Sequence, residues 1–170
     1  MVRMKKRGVI SGVVISSCTI VVAIGLWWFI AHARQPFVSA TIRQQVTSVI
    51  LIPTGSGISL QRSSIKYDPT DKLLSFTTGY EGQVVTISEQ PSPEVFGDVP
   101  DFYTKWLTSF GQYESFNSTV GSVNLARSAQ LSPYSVAILN TKGTLLFAKP
   151  SINLSDDAWR RYFLALQTLN

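Results

Sequence analysis

Three close carboxylate pairs stand out: Asp68 with Asp71, Asp98 with Asp101, and Asp156 with Asp157. Paired carboxylates can hydrolyse a bond when one carboxyl donates a proton and the other activates water. With Glu94 nearby, Asp98 and Asp101 would form the centre of a carboxylate-dependent hydrolase. Each pair also fits a plainer role as a helix cap or turn residue. The chain has one Cys, Cys18, and one His, His32. Beyond residue 34 there is therefore no Ser–His–Asp triad, Cys nucleophile or His-based zinc site. No Gly-x-Ser-x-Gly elbow, phosphate loop or Asp-rich calcium loop occurs either. The sequence assigns no catalytic residue, cofactor or metal ligand.

Aromatic side chains are the other chemical resource, and they are dense between residues 76 and 116. Most belong in a core. The candidates for a groove taking an acyl chain, peptide or glycan are Tyr103, Trp106 and Tyr113, because Tyr and Trp tolerate half-exposed sites. Asn117-Ser118-Thr119 and Asn153-Leu154-Ser155 match the glycosylation pattern, a match that a Ser/Thr-rich chain reaches by chance.

What these residues can meet depends on where the chain places them. Its 170 residues carry 15 basic and 10 acidic side chains, a formal charge of +5. Five of the basic residues precede residue 35: Arg3, Lys5, Lys6, Arg7 and Arg34. The remainder holds ten of each sign and is formally neutral. A neutral domain without a basic face argues against nucleic acid as a partner. An apolar content of 45% and a mean hydropathy of +0.16 exclude a disordered chain.

Gly8 to Ile30 contains no charged residue. As a helix it would be about 34 Å long, enough to cross a hydrocarbon core of about 30 Å. Arg3, Lys5, Lys6 and Arg7 on one side, against Arg34 on the other, predict a cytoplasmic N-terminus. Trp27 and Trp28 suit the far interface. Gly8, Gly12 and Ser16 recur every four residues, a small-residue stripe that lets two such helices approach and form a homodimer. Three rival readings remain. Ala31-His32-Ala33 resembles a signal-peptide cleavage site, although the apolar run is long for one. Cys18 follows a lipoprotein-like Ile15-Ser16-Ser17, although the apolar run continues past it. A pilin-like subunit would assemble through this helix after cleavage at Gly8, although Val13 stands where pilins usually carry Glu.

The expected organisation is a basic cytoplasmic segment at 1–7, a transmembrane helix at 8–30, a juxtamembrane linker with a short helix or strand at 31–57, and an exported α+β domain at 58–170. In the linker, Ser39 to Ser48 suits a short helix or an extension of the strand-like Val49–Ile52. Strands are expected at Ile58–Tyr67, Leu73–Thr78 and Gln83–Ser88, with a turn at Asp68–Asp71 and a connection at Gly79–Gly82. Asp98 reads as the N-cap of a helix with Phe102, Trp106 and Phe110 on its apolar face. Further strands fall at Gly121–Ala129, Tyr134–Asn140 and Thr144–Lys149, the last two joined by a tight turn. Ser155 caps a final helix, with Asp156 and Asp157 in its first turn. Trp159, Tyr162, Phe163, Leu166 and Leu169 keep helical periodicity, so this helix should close over the sheet.

Residues 50–169 resemble small bacterial exported domains of uncharacterised function, found behind a single membrane span in sporulation-associated and anti-sigma-factor-like proteins. The likeness rests on Ile87-Ser88-Glu89-Gln90-Pro91 closing the Leu73–Gln90 hairpin, on Val136–Lys149, and on Leu154-Ser155-Asp156-Asp157. It implies an antiparallel sheet with packed helices, akin to exported lipoprotein-carrier folds, and supplies no catalytic residues. The composite expectation is a membrane-anchored extracytoplasmic binding, sensing or scaffolding domain of the cell envelope. Its partners would be the lipid bilayer and a protein or envelope component outside the cytoplasm.

Overall fold

The computed structural model describes residues 37–111, 113–127 and 134–169. The chain divides into two compact units, Met1–Phe37 and Val38–Asn170. The proposed span at 8–30 lies outside the described residues. Among those that are described, no helix is long and apolar enough to cross a membrane.

The second unit is α+β with antiparallel sheets. It begins at Val38, which is fully buried. Ser39 caps a short helix α1 (Ala40–Gln45), its Oγ accepting from the Ile42 amide at 3.3 Å. Strand β1 (Ile50–Pro53) follows and is buried at every residue. Next come β2 (Ile58–Asp68), β3 (Leu73–Tyr80) and β4 (Gln83–Pro91) as a meander. Helices α2 (Val95–Asp98) and α3 (Phe102–Thr108) carry the chain to the far edge. There β5 (Tyr113–Asn117), β6 (Ser122–Ala126), β7 (Val136–Thr141) and β8 (Thr144–Pro150) run back until β8 pairs with β4. The seven strands lie in the order β2-β3-β4-β8-β7-β6-β5. Helix α4 (Asp156–Leu164) and β9 (Leu166–Leu169) end the chain, and β9 pairs with β1 as a separate two-stranded sheet.

Local chemistry explains the hairpins. Tyr80 pairs with Gln83 and Thr141 with Thr144, leaving two-residue turns. Glu81-Gly82 and Lys142-Gly143 all have positive φ, the combination whose twist matches paired strands. At Asp68, Oδ1 accepts from the amides of Thr70 and Asp71 and closes the expected turn.

Register separates the two faces of the large sheet. On one, Leu74, Phe76 and Thr78 of β3 stand beside Glu89, Ile87 and Val85 of β4, all buried. Helix α4 covers this face with Trp159, Tyr162 and Phe163, none of them exposed. Tyr162 meets Tyr80 at 5.2 Å between centroids, and Phe163 meets Phe116 at 6.1 Å. Burying each such ring stabilises by about 1.5–3 kcal/mol. Ser155 caps α4 as expected, accepting from the Ala158 amide at 3.2 Å.

Two expectations are corrected. The final helix stops at Leu164, and Leu166 and Leu169 belong to β9. A buried β1 must have its amides and carbonyls paired, and β9 supplies one edge of that pairing. Asp98 does not cap the aromatic helix but closes α2. Pro100 disfavours helix at the preceding residue, so Val99 is extended (φ −109°, ψ 116°) and a new helix starts at Phe102. Asp101 occupies the cap position with φ 60° and makes no side-chain cap bond. Phe102 is consequently exposed, and the helix packs through Tyr103, Trp106, Leu107 and Phe110 instead. One strand, β5, has no counterpart among the expected elements; its burial does not alternate regularly.

The loop from β1 to β2 depends on Gly55. A Cβ there would stand 2.5 Å from the Ala165 Cβ, at the joint between α4 and β9. Gly55→Ala should destabilise the unit by about 1–3 kcal/mol through overpacking, read as a lower urea midpoint. An unchanged midpoint would mean that this loop does not press on Ala165.

Candidate functional site

The expected topology and helix-contact residues lie outside the described residues: Arg3, Lys5, Lys6, Arg7, Gly8, Gly12, Ser16, Trp27 and Trp28. The three groove candidates are brought together. Tyr103, Trp106 and Tyr113 all pack around the buried cluster of Leu107, Ala126, Val136, Ile138 and Leu145. Tyr103 and Trp106 stack at 5.9 Å, and Phe96, Phe110 and Phe147 surround the indole. The Tyr103 hydroxyl accepts from Asn124 Nδ2 at 3.2 Å, and burial pushes its pKa up to about 12. This is a second core on the opposite sheet face, under α2 and α3.

The carboxylate pairs are dispersed among structural roles. Asp68 closes a turn, and Asp98 and Asp101 lie on either side of Pro100. Asp156 accepts two bonds from Arg127, at 3.0 and 3.1 Å, which tie the first turn of α4 to the end of β6. Among the described residues no group of three or more His, Cys, Asp or Glu side chains is placed to hold a metal.

Open clefts occur among the described residues, two of them well formed. The larger, about 660 Å³, lies between the Gly55–Ile58 loop, the β3–β4 turn and the end of α4. Arg161 Nη2 donates to Glu81 Oε1 across its rim at 2.8 Å, with Tyr80 and the half-exposed Leu164 beside them. The Arg161 guanidinium, helped by the Tyr80 hydroxyl, holds the Glu81 carboxyl below the ordinary carboxylate range. The second cleft, about 410 Å³, is lined by Thr108, Gly111, Tyr113, Glu114, Leu125 and Arg127. Neither is lined by Tyr103 or Trp106.

The most unusual group is one the sequence reading passed over. Glu89 is 2% exposed, in the middle of the sheet face that α4 and β1 cover. Both its oxygens lie 3.2 Å from the Leu51 amide, which donates to them. Two residues upstream, the Val49 carbonyl accepts from Thr144 Oγ1 at 2.7 Å. Val49 and Leu51 share the edge of β1 that faces away from β9. Two side chains of the large sheet thus hydrogen-bond to the edge of β1 that β9 leaves free. Close by, the buried hydroxyls of Thr78 and Tyr162 are 2.7 Å apart. Burial raises the Glu89 carboxyl well above its usual range, opposed only by the Leu51 amide, and burial also raises the Tyr162 phenol. The signal was available in the alternation of β4. Val85, Ile87 and Glu89 are successive inward positions, so a charge at 89 falls on the buried face.

No family model, curated protein or solved structure matches this chain.

The raised Glu89 pKa sets a pH dependence. The folded state keeps a proton that the unfolded chain releases near pH 4.5. Stability should therefore be greatest below that value and fall as pH rises towards the folded-state pKa. The slope is up to about 1.4 kcal/mol per pH unit. Glu89→Gln keeps the acceptor without the charge, so urea unfolding should become flat over this range and the variant more stable than wild type at pH 7. An equal slope in both proteins would remove Glu89 as its source.

Proposed function

We propose that the chain is a single-pass membrane protein, N-terminus in the cytoplasm, which displays the α+β unit outside as a non-enzymatic domain of the cell envelope. Its task there is binding, sensing or scaffolding. One observation carries this reading: Gly8 to Ile30 is free of charge, and four basic residues stand immediately before it. Such a segment is long enough for a bilayer, and its flanking charge orients it. The formal neutrality of residues 35–170 agrees with a domain that has no polyanion to bind.

The placement of the polar groups supports the non-enzymatic part. Asp68 closes a turn and Asp156 carries an ion pair at a helix start, while the buried Glu89 carboxyl holds a strand. The open clefts suit contact with a partner or small ligand at the rim of the unit, where Arg161, Glu81 and Leu164 present charge and apolar surface together.

Full-length protein should stay in the membrane pellet after alkaline carbonate extraction; release into the supernatant would refute the anchor. Asn117 is exposed at the end of β5. An Asn117→Cys variant should react with a membrane-impermeant maleimide in intact cells, while wild type, with Cys18 alone, should not. Labelling only after lysis would reverse the orientation.

A further inference from the structure

We propose that Glu89 is a protonation-gated latch on β1: protonated, it holds the strand on the sheet, and on losing the proton to water it releases β1 while the seven-stranded sheet stays folded.

The geometry separates β1 from the rest. It is not a member of the large sheet, whose seven strands pair without it. On one edge it pairs with the four residues of β9. On the other edge it has two polar attachments, the Leu51 amide to Glu89 and the Val49 carbonyl to Thr144. Beyond them its hold is the burial of Ile50, Leu51, Ile52 and Pro53 and, just past the strand, the Thr54 amide donating to the Ala165 carbonyl at 2.9 Å. Beyond the Thr54 amide and Gly55, which rest on Ala165, the Ser56-Gly57 turn can act as a hinge, since Gly57 already has φ +81°.

Among the described residues, nothing around Glu89 compensates a negative charge. Its cross-strand neighbours on β3 and β8 are Leu74 and Leu146. Along β4 the same face carries Ile87 and Val85. Strands β1 and β9 have no ionisable side chain. Helix α4 contributes the Tyr162 phenol, which is hydrogen-bonded to Thr78 and becomes anionic only at alkaline pH. A lone amide donor is a poor substitute for the water that an ionised carboxylate loses on burial. Lifting β1 restores that water. The Leu51 amide gains water as well, so the open form leaves no buried polar group unpaired on this edge. Coupling one proton to one opening step gives a tenfold change in the opening constant per pH unit.

Hydrogen exchange of the full-length protein in detergent micelles, corrected for intrinsic chemical exchange, tests this between pH 5.5 and 8.5. Protection of the Leu51 amide should fall about tenfold per pH unit below the folded-state pKa of Glu89. It should stay below that of Leu139 in β7 at every pH and be insensitive to low urea. In Glu89→Gln the pH slope should vanish. Glu89→Leu, which removes both charge and acceptor, should also lose the slope and serves should the Gln variant fail to fold. The latch is overturned if wild-type Leu51 protection is flat with pH, if either variant keeps the slope, or if Leu51 opens only with Leu139 in a urea-sensitive step.

Discussion

Strand β1 has two edges, and only one meets another strand. Its backbone groups are buried, so the second edge must be satisfied by something other than water. Thr144 from β8 and Glu89 from β4 do this, one donating to a carbonyl and one accepting from an amide two residues on. The arrangement imposes much of what surrounds it. It requires a polar pair in the middle of an otherwise apolar face, and an inward Glu where β4 would otherwise continue Val85 and Ile87 with a third aliphatic residue. It also requires β9 on the other edge, which is why the chain leaves α4 as a strand and does not extend the helix.

The same sheet carries unequal loads on its two faces. The face bearing Glu89 is sealed by α4, β1 and β9, with Trp159 donating its indole N–H to Ser135 Oγ at 3.2 Å and Tyr162 sharing a hydrogen bond with Thr78. On the other face α2 and α3 bring Phe96, Tyr103, Trp106 and Phe110 onto the β6–β8 cluster. The polar rows of β3 and β4, such as Thr77 and Thr86, stand opposite one another on that second face beyond the cluster. The dense aromatic stretch therefore builds a satellite core, and the large open cleft forms elsewhere, at the end of α4 where three loops and turns converge.

Much of the local structure was legible because it is encoded within a few residues. The Lys142-Gly143 turn, the Asp68 turn, and the Ser155 cap with its acidic first turn are short-range chemistry, and each is present. Errors arose where two local signals competed or where the partner was distant. Asp98 looked like a cap, but Pro100 two residues later ends one turn and starts another. Leu166 and Leu169 fit the helical period of α4, yet four residues suit either helix or strand, and β1, more than a hundred residues earlier, decides between them. The segment from Val38 to Pro53 carries little local signal, because the partners of its one strand, β9 and the side chains of Glu89 and Thr144, lie far along the chain. Of the site residues, Tyr103, Trp106 and Tyr113 all pack against one apolar cluster, an environment set by strands that follow them in the chain.

Composition and order along the chain were enough to establish the charge asymmetry, the uncharged stretch at 8–30, the lack of His and Cys beyond residue 34, and an α+β unit built on antiparallel hairpins. These depend on residue types and on spacings of a few residues. Only the tertiary structure decided that Glu89 is buried, that Arg161 reaches Glu81 across a cleft, and that β1 and β9 form a sheet of their own. Each of these joins residues 38 to about 120 positions apart, and a carboxyl or a strand edge takes its environment from whichever distant groups are folded against it.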